Sequence, residues 1–180
     1  FGCWQNSGIQ HIRSVFIHYQ LLIVWPLKGV NLFMTAKERN DFFYVCSLIE
    51  YIARETKNKR GVIVKALGKD GIEKQLYDAE VNHCLSFEQV CDEVVEQYQI
   101  AKGDFDTITG CKYTIPSYQD IGKLYSIMIE DCAEPGKEVE ELIHIFTSFI
   151  SDGISNFQSD LYYQNPNYLE CSYKAGYLLD

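Results

Sequence analysis

The chain has 180 residues, of which 47% are hydrophobic and 23% are charged, a composition typical of a globular protein and not of a disordered one. Its 25 acidic and 16 basic residues give a net charge of −9, which argues against nonspecific coating of nucleic acid by the whole surface. A chain of this length forms one domain or two small ones and can bury a core without disulfides or a metal.

Residues 1–33 differ in charge from the rest of the chain. They contain Arg13 and Lys28 but no Asp or Glu, so residues 34–180 carry 14 basic and 25 acidic side chains, a net charge of −11. The change falls at Met34, immediately before a helix start signal. We expect Met34 to be the natural start and 1–33 to be a non-native leader. The alternative is a native N-terminal element that is irregular or forms short β-strands.

Neither a signal peptide nor a membrane span explains residues 1–33. Pro26 interrupts the short apolar stretch, no small-residue cleavage site follows, and Arg13 and His18 lie where a membrane helix would need apolar residues. The seven cysteines are odd in number and form no Cys-x-x-Cys pair, which favours a reducing compartment. We therefore expect a cytoplasmic protein that does not enter a membrane.

Apolar residues at helical spacing predict a four-helix module at residues 34–100. The predicted elements are a long helix opened by a capping box at Thr35–Glu38, a helix at 60–67 stopped by Gly68, a helix at 71–77 capped by Asp70, an aperiodic segment at 78–85, and a helix opened by a capping box at Ser86–Gln89.

Residues 101–116 show no helical period and are predicted to be a linker, followed by a three-helix module at 117–180. Its predicted helices are one opened by Ser117 and Asp120, a long one at 137–157 with a kink or close packing at Gly153, and a short one from Pro166 that ends at Gly176. The expected fold is mainly α, with two small modules that are compatible with one shared core.

Two segments resemble bacterial proteins. Residues 42–98, which begin FFYVCSLIEYIARE, resemble an uncharacterised small helical bacterial family, a domain of unknown function. The C-terminal part, which includes IPSYQDIGKLYSIMIED, is similar to a second small bacterial segment, and together the two cover roughly 42–180. Some members of these families are encoded beside ADP-ribosyltransferase-like proteins, which implies an antitoxin or regulatory-partner role. The resemblance carries no catalytic motif, so it assigns no functional residue.

The common catalytic and cofactor motifs are missing from the sequence: there is no Gly-x-Gly-x-x-Gly, Walker A, His-Glu-x-x-His or Gly-x-Ser-x-Gly. His83 and His144 are more typical of surface or hydrogen-bonded histidines than of a general base. His83 and Cys84, followed by Cys91, supply one ligand pair where a structural zinc site needs two. We therefore assign no catalytic, cofactor-binding or metal-binding residue.

One stretch, 54–74, carries a local charge of +4 in an otherwise acidic module. Its basic residues are Arg54, Lys57, Lys59, Arg60, Lys65, Lys69 and Lys74. The predicted helix pair around Gly68 is compatible with a helix-turn-helix that places basic residues on phosphates. The other interpretations are a solvated basic face and a surface for an acidic protein partner.

The C-terminus is rich in tyrosine. The residues Tyr162, Tyr163, Tyr168, Tyr173 and Tyr177 form a candidate interaction surface, because tyrosine is enriched in interface cores. The alternative is that these rings cover the protein's own helices. The sequence thus favours a non-enzymatic protein that binds a protein partner. A toxin-type enzyme is one candidate for that partner. The alternatives are a DNA-binding regulator that uses 54–74 and an enzyme with an unrecognised site.

Overall fold

The computed structural model describes residues 34–180, which contain seven α-helices and no β-strand. The helices are α1 (Ala36–Glu55), α2 (Arg60–Asn82), α3 (Phe87–Gln97), α4 (Tyr118–Cys132), α5 (Glu138–Thr147), α6 (Phe149–Ser155) and α7 (Pro166–Ala175), with a 3-10 turn at Leu161–Tyr163. The expectation of a mainly α fold is confirmed. The expectations for residues 1–33 lie outside the described residues.

Three helices begin at the capping boxes that the sequence predicts. The hydroxyls of Thr35, Ser86 and Ser117 each accept a hydrogen bond from the backbone N–H three residues later, and the side chain of that later residue accepts one from the cap's own N–H. At the C-terminal end, α7 stops at Gly176, which has a left-handed backbone with φ 82°. These boundaries were predictable because each depends on residues within one helical turn.

The second and third predicted helices form a single interrupted helix, α2. Gly68 has φ 63° and ψ −177°, so the first segment stops where expected, but helical geometry resumes at once and continues to Asn82. Asp70 therefore lies inside the helix and does not cap it. The segment predicted to be aperiodic at 78–85 is helical up to Asn82 and non-helical at 83–85. The helical part was missed because the buried face of this half includes Gly71, Gln75 and Ala79, which a hydrophobic pattern does not detect.

The long helix predicted at 137–157 is divided into α5 and α6. Ser148 is extended, with φ −86° and ψ 170°, and its hydroxyl donates to the carbonyl of Ile145 at 2.8 Å, a local bond that competes with helix continuation. The region after 117 therefore holds four α-helices where three were expected. The close packing expected at Gly153 is present, since a Cβ there would lie 2.5 Å from Leu161 Cδ2.

All the described residues belong to one compact unit. Helix α1 packs against α2 and α4, α2 packs against α5, and α4 also contacts α5 and α7, so the two predicted modules share one core. The backbones of α1 and α4 touch at Gly122, where a Cβ would lie 2.7 Å from the backbone nitrogen of Ser47. Within 34–180, no helix is both long enough and apolar enough to cross a bilayer.

Candidate functional site

Arg60, one of the predicted surface cations, lies inside the protein. It is the first residue of α2, and only 3% of its surface is exposed. Its Nε donates to the Glu50 carboxylate, and its Nη1 donates to the Ser155 and Tyr125 hydroxyls and to the Ser151 carbonyl at 3.2 Å. Arg60 therefore does not belong to the predicted basic surface.

This burial is tolerated because the charge is paired and hydrogen-bonded. Burial alone would lower the pKa of Arg60, but the Glu50 charge, the neighbouring Tyr125 and the hydrogen bonds to both residues together more than offset this effect, so its pKa is raised. Tyr125 donates its own hydroxyl proton to the Ser151 hydroxyl at 2.9 Å, and its ring stacks on Phe146 with 4.1 Å between the centroids. The ion pair thus sits in a polar cluster enclosed by core aromatics.

Glu50 is shared between two arginines. Arg54 lies one turn later on α1, and its Nε donates to Glu50 Oε1 at 2.6 Å. Its Nη2 donates to the Pro116 carbonyl at 2.9 Å, and its guanidinium lies 5.4 Å from the centre of the Phe157 ring. The spacing of Glu50 and Arg54 was a sequence signal for this pair, whereas the contact with Arg60 depends on two helices meeting.

Most lysines of the 54–74 stretch are exposed but paired with acidic residues. The pairs are Lys57 with Asp106 at 2.9 Å, Lys59 with Asp152 at 2.9 Å, Lys69 with Glu140 at 2.6 Å, and Lys74 with Asp78 at 2.5 Å. Lys65 has no ion pair among residues 34–180. The local charge of +4 is therefore largely neutralised, in three of the four pairs by acidic residues that are distant in sequence. This neutralisation gives no support to the DNA-binding alternative.

The five C-terminal tyrosines do not form one continuous exposed surface. Tyr162, Tyr168 and Tyr173 are half-buried against the core, whereas Tyr163 and Tyr177 are exposed. The Tyr163 hydroxyl donates to the Thr114 carbonyl at 2.7 Å, so that this exposed ring is held at its polar end. Most of these side chains therefore cover the protein's own helices.

Two of the tyrosines also line a shallow groove beside α4. Tyr162 and Tyr163 enclose about 350 Å³ there, together with Ile127 and Pro166. The rim carries Asp120 and Lys123, one charge of each sign. The groove therefore shows no charge preference for a ligand.

A different apolar surface lies on the C-terminal half of α2. Tyr77 is 86% exposed, Val81 is 69% exposed, and Leu85, in the turn just beyond the helix, is 40% exposed. The four-residue spacing places Tyr77 and Val81 on one face of the helix. We call these two residues and Leu85 the α2 stripe. The stripe is not predicted from the sequence, because the helix is expected to end at Tyr77, although the four-residue spacing is visible there.

The α2 stripe is surrounded by acidic side chains. Glu73, Asp78 and Glu80 flank it on the helix. Each of them contacts a lysine: Asp78 lies 2.5 Å from Lys74, Glu73 lies 3.7 Å from Lys69, and Glu80 lies 3.7 Å from Lys37. Lys69 and Lys37 are closer to Glu140 and Asp41, at 2.6 and 2.8 Å, so these five carboxylates and three lysines leave a net charge of −2. The surface is therefore apolar along its centre and negative at its edges.

Comparisons with known proteins do not assign a function. No family model matches this chain, and no significantly similar protein was found among curated proteins or solved structures. Within residues 34–180, no cluster of three His, Cys, Asp or Glu side chains has the arrangement of a metal site. A function for this chain therefore has to be inferred from the surfaces and cavities of residues 34–180.

Proposed function

We propose that the protein acts by binding another protein, as a non-enzymatic regulatory partner, and that the α2 stripe is its docking surface. The exposure of Tyr77 and Val81 is the observation that supports this proposal. Large apolar side chains on neighbouring helical turns are seldom left in water without a role, and tyrosine is enriched among residues that dominate binding energy.

The charge around the stripe defines the partner's chemistry. Glu73, Asp78 and Glu80 would repel an acidic segment and attract a basic one. The fitting occupant is an amphipathic segment with apolar residues along one face and Lys or Arg at its margins. The family resemblance suggests that the partner is a toxin-type enzyme, which would make the chain antitoxin-like.

Affinity purification with the wild type and two variant baits tests the proposal. The first bait carries Tyr77→Ser and Val81→Ser, and the control bait carries Tyr113→Ser, which removes an exposed tyrosine from the linker. A protein captured by the wild type and the control, but not by the stripe variant, would be identified. Its basic apolar segment would then be titrated as a synthetic peptide against all three proteins.

We expect the stripe variant to bind that peptide about 30-fold more weakly or worse, with affinity that falls as salt increases. Equal binding by all three proteins would contradict the proposal. Sedimentation of the purified protein tests whether the α2 stripe instead binds a second copy of the chain. A dimer that disappears in the stripe variant would show that the stripe serves self-association instead.

A further inference from the structure

The groove beside α4 has an aromatic wall that is held in place. The Tyr162 and Tyr163 rings of the 3-10 turn have centroids 5.0 Å apart and planes inclined at 78°. Tyr163 is 58% exposed, and the bond from its hydroxyl to the Thr114 carbonyl holds the ring at its far end. A side chain that is already held loses little conformational freedom when a ligand packs against it. The wall is therefore preorganised for an apolar ligand.

The hydrogen-bonding groups at the groove favour a ligand that supplies acceptors. Lys123 and Tyr162 line the groove, and neither the ammonium group nor the hydroxyl donates to an acceptor among residues 34–180. Burial, with a smaller contribution from the Asp120 charge, raises the pKa of Tyr162, so its hydroxyl keeps the proton that it can donate. Asp120, in contrast, already accepts from the Ser117 hydroxyl at 2.7 Å and from the Ser117 N–H at 3.1 Å. Carbonyl oxygens of a ligand would match the two donors.

The charge and the size of the groove restrict its occupant further. Asp120 and Lys123 carry opposite charges, so neither a basic nor an acidic segment gains a net electrostatic advantage there. The volume of about 350 Å³ lies near the lower end of the range of roughly 300–1,000 Å³ that is typical of ligand sites. Ile127 and Pro166 add apolar surface to that of the tyrosines. The groove thus suits a short, uncharged, apolar segment whose polar atoms are carbonyl oxygens.

We propose that this groove binds a proline-rich segment of another protein in the polyproline II conformation. Proline has no N–H group, and a polyproline II helix has no internal hydrogen bonds, so its carbonyl oxygens are free to accept from Tyr162 and Lys123. Its pyrrolidine rings would pack against the tyrosine wall, which is the way in which aromatic-lined grooves recognise such segments.

The segment has to come from another protein. The four prolines of these 180 residues are isolated from one another, at Pro26, Pro116, Pro135 and Pro166. A second copy of the chain therefore offers no proline-rich segment. The groove is formed by α4, the 3-10 turn and the start of α7, so this proposal does not depend on the α2 stripe.

Calorimetric titration of the whole chain with acetyl-hexaproline-amide tests the proposal. The control peptide has the same length and alternates alanine with glycine, so it keeps its N–H groups and lacks the stiff polyproline II conformation. We expect hexaproline to bind with a Kd of about 1 mM or below and the control peptide to bind at least about tenfold more weakly. In methyl NMR spectra, the Ile127 signals should move as hexaproline is added, whereas those of Val81 in the α2 stripe should not.

Two variants of the tyrosine wall test the assigned contacts. Tyr163→Ala removes one ring of the wall and should weaken hexaproline binding about tenfold or more. Tyr177→Ala is the matched control, because Tyr177 is 63% exposed but does not line the groove, and it should bind like the wild type. Tyr162→Phe keeps the ring and removes one donor, so it should bind about 2–10-fold more weakly, and it covers the case in which Tyr163→Ala does not fold.

The stripe variant with Tyr77→Ser and Val81→Ser should bind hexaproline like the wild type, so the two docking proposals can fail separately. Equal binding of the two peptides would overturn the proposal, as would movement of the Val81 signals in place of those of Ile127. Wild-type affinity in both Tyr163→Ala and Tyr162→Phe, or no binding of hexaproline up to about 10 mM, would overturn it as well.

Discussion

The two halves of α2, on either side of Gly68, depart from the usual distribution of side chains in opposite ways. The N-terminal half places a charge inside the protein, at Arg60, whereas the C-terminal half places large apolar side chains in solvent, at Tyr77 and Val81. Charged residues are seldom buried, and a contiguous apolar surface is seldom left exposed, so both halves need a specific explanation.

The explanations differ, and the difference is informative. The Arg60 guanidinium finds its compensating charge within the same chain, at Glu50. The α2 stripe has no comparable cover among residues 34–180, where Tyr77 is 86% exposed. We infer that the first half is organised for stability and the second half for contact with another molecule.

The largest expected effect comes from breaking the N-terminal half with Arg60→Met. Removing one member of a buried ion pair typically costs about 3–5 kcal/mol, because the remaining charge stays desolvated. We expect a value near the lower limit, since Glu50 still contacts Arg54. Urea unfolding would measure the loss in the free energy of unfolding.

Lys65→Met is the matched control, because it removes a cation from an exposed position on the same helix, and it should change stability by no more than about 0.5 kcal/mol. A double variant, Glu50→Gln with Arg60→Met, should recover part of the loss, since it leaves no unbalanced carboxylate beside the substituted position. If Arg60→Met cost no more than Lys65→Met, the buried network would contribute nothing to stability.

Much of this fold was predictable from sequence because its boundaries are local. Thr35, Ser86 and Ser117 each cap a helix through bonds within three residues, and Gly68 interrupts α2 through its own backbone angles. The same local logic failed at Ser148, where a long apolar period continued through an extended residue.

The buried network was not predictable, because its members are distant in sequence. Arg60 and Glu50 are 10 residues apart on different helices, and Tyr125 and Ser155 are 65 and 95 residues from Arg60. A charge count treats Arg60 and Lys59 alike, although one is buried and the other exposed. The four-residue spacing of the α2 stripe was visible in the sequence, but which side of α2 faces solvent depends on its packing against α1 and α5.

A smaller effect is expected at the junction of the two halves, from Gly68→Ala. Its backbone, with φ 63° and ψ −177°, lies in a region that residues with a Cβ rarely adopt, and no atom lies within 4 Å of a Cβ built there. The cost is therefore backbone strain alone, about 2–3 kcal/mol. Thermal or urea unfolding would measure it.

Gly176→Ala provides the comparison, since Gly176 has an ordinary left-handed backbone with φ 82° and ψ 7° and also has open space around it. There the cost should be only about 1 kcal/mol. Equal losses at the two positions would indicate that α2 changes its bend to accommodate alanine at Gly68. In that case the two halves would be adjustable relative to each other.

The smallest expected effect on stability comes from two buried tyrosine hydroxyls, one beside each half of α2. Only one of the two is hydrogen-bonded within residues 34–180. Tyr44 packs against His83, just after the C-terminal half, with 4.6 Å between ring centroids, and its buried hydroxyl has no hydrogen-bond partner within 34–180. Tyr125 lies beside the N-terminal half, and its hydroxyl bonds Ser151. At pH 7, Tyr44→Phe should therefore be neutral or stabilising by up to about 1 kcal/mol, whereas Tyr125→Phe should cost about 1 kcal/mol.

The stability difference between the wild type and Tyr44→Phe should also depend on pH in the alkaline range. Burial raises its pKa to about 12, whereas an unfolded tyrosine ionises near pH 10. The unfolded chain therefore releases this proton first, and the folded state loses stability as the pH rises from about 10 to 12. Tyr44→Phe has no such proton, so urea unfolding should show a smaller loss of stability across that window than in the wild type. If the variant and the wild type lost stability in parallel, the Tyr44 hydroxyl would have to be solvated or bonded, and the C-terminal half would cover this ring less tightly than the structure indicates.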